Sequence, residues 1–167
     1  MIKKLIQTTL MMLIAIKAYS PISTFTLNAD DWNEINSTAL LYAIAYTESR
    51  FDAMAVNKKE NARGLLQIRK GVITDVNTGY RLGYHHDDAF NPISAVNIFY
   101  LYTGMYNAET IRDRIMLWNM GPKAMVYRTF TNTYYNKVMK AYHTYRSDLT
   151  IRYFRAKHYS YYKLLNL

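Results

Sequence analysis

Residues Ala39 to Phe51 form an apolar run interrupted near its end by one carboxylate, Glu48. Leu41, Ile44 and Glu48 stand at i, i+3 and i+7, which on a helix is a single face. A helix that buries this face carries Glu48 into apolar surroundings. An ionised carboxylate is costly there, so the acid should hold its proton toward neutral pH. A carboxyl group in that state can protonate a leaving group. The plainer alternative is a solvated Glu at a helix end. Position 48 alone does not separate the two.

The chain has 167 residues, enough for one domain with a real core, and half of them are hydrophobic. No internal repeat or low-complexity tract occurs. There is no cysteine, which excludes disulfides, a thiol nucleophile, thiolate metal sites and lipid attachment through cysteine within these residues. The net charge of +9 suits a polyanion: nucleic acid, an anionic membrane, or a cell wall with its peptide carboxylates. Zinc-finger spacing, an RNP aromatic signature and a basic zipper are all missing, so the charge reads as electrostatic association with an anionic envelope, not nucleic-acid binding.

Met1-Ile2-Lys3-Lys4 followed by the apolar stretch Leu5–Ile16 is the pattern of a secretory signal, too short to span a bilayer comfortably. Residues 1–20 are therefore expected to direct export to the periplasm, envelope or exterior. The alternative is an N-terminal helix packed on the domain. Removal of the segment takes Lys3, Lys4 and Lys17 with it and leaves a charge of +6.

Asn28-Ala29-Asp30-Asp31 reads as a helix cap leading toward Glu48. Residues 52–63 are a polar loop. Helices are predicted over Gln67–Val76, Ile93–Tyr106 (after Pro92) and Ile111–Leu117, and two closing helices over Tyr134–Tyr145 and Leu149–Leu165. Gly79–Asn91 reads as loop. The result is a mainly α domain with little sheet.

Four elements then recur in a telling order: Glu48-Ser49-Arg50-Phe51, Gly64-Leu65-Leu66-Gln67-Ile68, Trp118-Asn119-Met120-Gly121-Pro122, and Thr131-x-x-Tyr134 followed by Val138. Together they resemble the soluble lytic transglycosylases, the SLT domain of glycoside hydrolase family 23, of goose-type lysozyme fold. Leu66 stands for the family's Met, Trp118 for Tyr and Met120 for Ala. Phe99 stands where many relatives have Gly, so helix packing near the cleft is expected to differ. The resemblance implies a single lysozyme-like domain over 28–145 with a small β-hairpin region at the cleft, followed by a basic aromatic C-terminal helix over 146–167.

Most glycosidases use two carboxylates. One well-placed acid is present here; Asp52, Asp75, Asp87 and Asp88 have no motif support. A lone acid suffices if the substrate's N-acetyl carbonyl attacks its own anomeric carbon. By resemblance, Glu48 is catalytic, as acid and then as base, yielding a 1,6-anhydro sugar without water. Ser49, Gly64, Gln67, Asn119 and Tyr134 are the implied substrate-site residues, with Tyr134 bonding Glu48 and Ser49 near the N-acetyl group. Four of them have a plainer reading: Ser49 as a helix-end hydroxyl bonding backbone, Gly64 as a close approach of chain, Gln67 as a surface residue at a helix start, and Asn119 as a turn former. Tyr134 is one of seventeen tyrosines, and its spacing alone is a weak signal. The implied partner is the peptidoglycan glycan strand; no cofactor is implied, and the chain is expected to be a monomer. A water-using goose-type muramidase and a non-catalytic wall-binding or virion protein are the competing functions.

His85-His86-Asp87-Asp88 reads as structural loop, since adjacent ligands point apart, and no metal is expected. The residue types of a Ser-His-Asp hydrolase occur without a nucleophile elbow. Tyr142–Tyr162, which interleaves aromatic and basic residues, reads as an amphipathic helix covering the core.

Overall fold

The computed structural model describes residues 27–123 and 132–165. The expected export segment and Thr131 lie outside them. The chain begins with α1 (Ala29–Ser49), and Asn28 and Asp31 form a reciprocal cap. The Asn28 side chain accepts from the Asp31 amide at 2.9 Å, and Asp31 accepts from the Asn28 amide at 3.0 Å. α1 stops after Ser49, where Arg50 and Phe51 take left-handed φ of 57° and 67°.

Three two-residue strands follow, β1 (Val56–Asn57), β2 (Ala62–Arg63) and β3 (Ile68–Arg69), in an antiparallel meander. Val56 faces Arg63, and Arg63 faces Ile68. The Asn57 side chain closes the first turn by accepting from the amides of Lys59 and Glu60 at 3.1 and 3.2 Å. The helix expected from Gln67 instead starts later, as α2 (Lys70–Tyr80). Gln67 sits in a turn at φ 51°, and Ile68 and Arg69 pair with β2, so tertiary pairing takes the residues a helix would have used.

The stretch expected to be loop contains a 3₁₀ turn, His86–Phe90. The His86 ring is bonded to the Ile68 carbonyl at 2.8 Å, Asp87 pairs with Arg63, and Asp88 accepts from the His85 amide at 2.7 Å. These polar groups fasten the turn to the small sheet. Then come α3 (Pro92–Met105), capped by Asn91 with Pro at its first position, and α4 (Ile111–Met120), capped by Thr110.

The two predicted closing helices are one, α5 (Asn132–Leu165), so no break falls at residue 145. Arg146-Ser147-Asp148 contains no Gly or Pro, and nothing there ends a helix. α5 runs antiparallel to α1 and makes the most extensive helix pairing. Polar contacts mark its length: Tyr142 and Arg146 donate to Asn36 at 3.0 and 2.8 Å, and the Tyr153 hydroxyl to Asp31 at 3.0 Å. The packing of α5 onto α1 continues beyond residue 145, as expected of a core-covering helix.

One contiguous core gathers Ala39, Leu40, Ala43 and Ile44 of α1 with Ile98 and Phe99 of α3, Leu117 and Trp118 of α4, and Val138 of α5. Phe99, the departure noted above, is fully buried, with its ring 5.0 Å from that of Trp118. It fills core space beside Trp118 that a Gly would leave open. Phe99→Ala is expected to lower stability by about 3–5 kcal/mol, through lost transfer energy and the cavity left behind. Urea unfolding at constant m-value measures it.

Candidate active site

Glu48 occupies the last turn of α1, beside the β2–β3 turn. That turn is held from two sides. The Ser49 hydroxyl donates to the Leu65 carbonyl at 2.8 Å, with the Ala45 carbonyl at 3.2 Å. The Trp118 indole N–H donates to the Leu66 carbonyl at 3.1 Å. α1, the turn and α4 are thereby tied together around the acid. Arg69 extends the brace by donating to the Asn119 carbonyl at 2.8 Å while facing Glu60 at 3.6 Å.

From the far end of the chain, the Tyr134 hydroxyl donates to Glu48 Oε1 at 2.5 Å. Burial pushes the Glu48 carboxyl above its ordinary value; the Tyr134 hydrogen bond and the Arg69 charge pull it partly back, and Glu60 adds to the rise. Burial, together with the adjacent carboxylate, holds the Tyr134 phenol well above its usual range, so it remains a donor.

Glu48 and Tyr134 open onto a cleft of about 960 Å3, shared with Asn119 and extending along α5 past Lys137 and Lys140 to Thr144 and Tyr145. Glu48 is the sole carboxylate among the described lining residues. Asp52 caps a local turn by accepting from the Met54 amide at 2.8 Å, and Asp75 accepts from the Tyr106 hydroxyl at 3.2 Å. Each of these two acids is engaged elsewhere in the fold.

Glu48, Asn119 and Tyr134 thus share one cleft, whereas Ser49, Gly64 and Gln67 are not among its described lining residues. The Gln67 amide nitrogen bonds the carbonyls of Ala55 and Gly64 at 3.2 and 2.9 Å. Gly64, at φ 75°, is buried against the backbone of Ala89, so neighbouring chain occupies the space its missing Cβ leaves. Sequence reasoning missed Arg69, Lys137 and Lys140. The signal for Lys137 was the helical face on which Tyr134, Lys137 and Ala141 fall at i, i+3 and i+7.

The model of the Transglycosylase SLT domain family matches residues 26–145, most of the chain. The chain belongs to the SLT transglycosylase family. No curated protein and no solved structure matches it. An SLT domain implies transglycosylase-type activity on peptidoglycan, and the mainly α fold with its small antiparallel sheet is that of a lysozyme-like SLT domain.

Within this candidate site, the Tyr134–Glu48 bond has a sign that can be tested. A donor bonded to the carboxylate favours its charged form, so Tyr134→Phe leaves desolvation less opposed. The Glu48 titration midpoint is expected to move upward in that variant, as followed by carbon NMR of the carboxyl group. A midpoint that stays put or falls would show that the hydroxyl does not stabilise the charged form.

Proposed function

We propose that this SLT domain is a lytic transglycosylase that cuts the β-1,4 bond between N-acetylmuramic acid and N-acetylglucosamine. Glu48 gives its proton to the glycosidic oxygen as the carbon–oxygen bond breaks. The N-acetyl carbonyl oxygen of the muramic acid bonds to the vacated anomeric carbon, the substrate-assisted exception to the two-carboxylate rule. The Glu48 carboxylate then takes the proton from the C6 hydroxyl, whose oxygen displaces the carbonyl and closes the 1,6-anhydro ring. The acid is regenerated and no water is consumed.

The observation that carries this reading is a single desolvated carboxyl, bonded to Tyr134 at 2.5 Å, in a cleft without a second carboxylate among its described lining residues. A raised pKa suits the first step, and the bonded phenol suits the second, since it stabilises the carboxylate left behind. The basic N-terminal segment, Lys3-Lys4 before Leu5–Ile16, supports export to the compartment where this substrate lies.

Mass spectrometry of a purified wall digest tests the proposal. Anhydromuropeptides are the expected product. Reducing-end muramic acid would instead identify a muramidase using water. Binding of wall without release of fragments would identify a non-catalytic wall protein.

A further inference from the structure

The limb of the cleft that runs away from Glu48 gathers positive charge. Arg50, Lys137 and Lys140 line it, with Tyr46 and Tyr145 as aromatic walls. The Arg50 guanidinium lies over the Tyr46 ring, 4.0 Å from its centre. The ion pairs found among the described residues are Arg63–Asp87 and Arg69–Glu60, so neither lysine is neutralised by a described protein carboxylate. Three cations focused in one groove, opposite a single acid at its end, attract an anion.

We infer that this limb binds the carboxylates of the peptide stem carried by the muramic acid, with Lys137 and Lys140 as specificity-determining residues. The inference rests on the transglycosylase reading, which puts that sugar at Glu48. The stem hangs from the reacting sugar itself and must leave the site close to Glu48 and Tyr134. Along α5, Lys137 lies about 4.5 Å and Lys140 about 9 Å of helix rise beyond Tyr134. An extended peptide covers about 3.3–3.6 Å per residue, so its first three residues reach both ammonium groups.

The test compares kcat/KM on peptide-bearing glycan strands with that on the same strands stripped by an amidase. The wild-type chain is expected to favour peptide-bearing strands about tenfold, the combined effect of two partly exposed ion pairs. The double variant Lys137→Gln/Lys140→Gln should bring the ratio near one, and Lys137→Arg/Lys140→Arg should keep it. Amidation of the stem carboxylates on the substrate should likewise abolish the preference of the wild type. A wild-type ratio near one, or a Gln variant that keeps the wild-type ratio, overturns the inference while leaving the glycan-cutting reading intact. Failure of the wild type to cut either strand overturns that reading and the inference together.

Discussion

Glu48→Gln is expected to lower the rate of wall clearance by about three to four orders of magnitude, because one group serves as proton donor and then as acceptor. Positioned acid–base groups contribute about 10²–10⁴-fold, and with no second carboxylate lining the described cleft the loss should lie at the upper end. The same substitution should stabilise the fold, and the sign follows from linkage. The folded state binds the Glu48 proton more tightly than the unfolded chain, whose value is near 4.5. As pH rises from there through the higher folded value, ionisation increasingly works against folding. Gln does not ionise, so the variant's melting temperature should exceed that of the wild type by a margin that opens across this window and then stays level. Each unit of upward displacement corresponds to about 1.4 kcal/mol, so melts at several pH values report its size. A margin independent of pH, or an unaltered clearance rate, would remove Glu48 from the role assigned to it.

Gly64→Ala is expected to cost a large part of the fold's stability. An added Cβ would lie 1.8 Å from the Ala89 carbonyl oxygen and 2.5 Å from its carbon. Both are backbone atoms of the segment that the Arg63–Asp87 pair and the His86–Ile68 bond hold against the sheet. No side chain can swing aside to make room. The left-handed φ of 75° adds about 1–2 kcal/mol of its own for any residue with a Cβ. The combined destabilisation should exceed about 3 kcal/mol, lowering the melting temperature by about 10 °C. Activity should fall with it, because the Gly64 carbonyl accepts from both the Gln67 amide at 3.0 Å and the Gln67 side chain at 2.9 Å. Gly71→Ala is the matched control. Nothing lies within 4 Å of its added Cβ, and it falls in the first turn of α2, so its effect should be small or stabilising. Equal melting temperatures for the two variants would show that the turn can open away from Ala89.

Much of the helical framework is legible because its signals are local. The Asn28–Asp31 cap, the Asn91-Pro92 start and the apolar period through Ile44 involve neighbours within a turn or two. The same locality explains the misplaced start of α2, where the residues at 67–69 form helix as readily as strand until β2 is present to pair with them. It also explains the helix wrongly split near residue 146, where a polar, charged stretch resembles a boundary but contains no breaker. Ser49, Gly64 and Gln67 were placed in the site by resemblance; in the fold their visible bonds and contacts shape the turn beside it.

By itself, the sequence determined that a carboxylate would ride the face of an apolar helix, and the order of its motifs pointed to one family. Only the tertiary structure decided that the Tyr134 hydroxyl, 86 positions away, meets that carboxylate, and that two lysines no motif specifies line the same cleft. The physical reason is the range of the interactions. Caps and helical period act between residues a few positions apart, whereas desolvation and the field in a cleft sum over whatever the packing of α5 on α1 brings near.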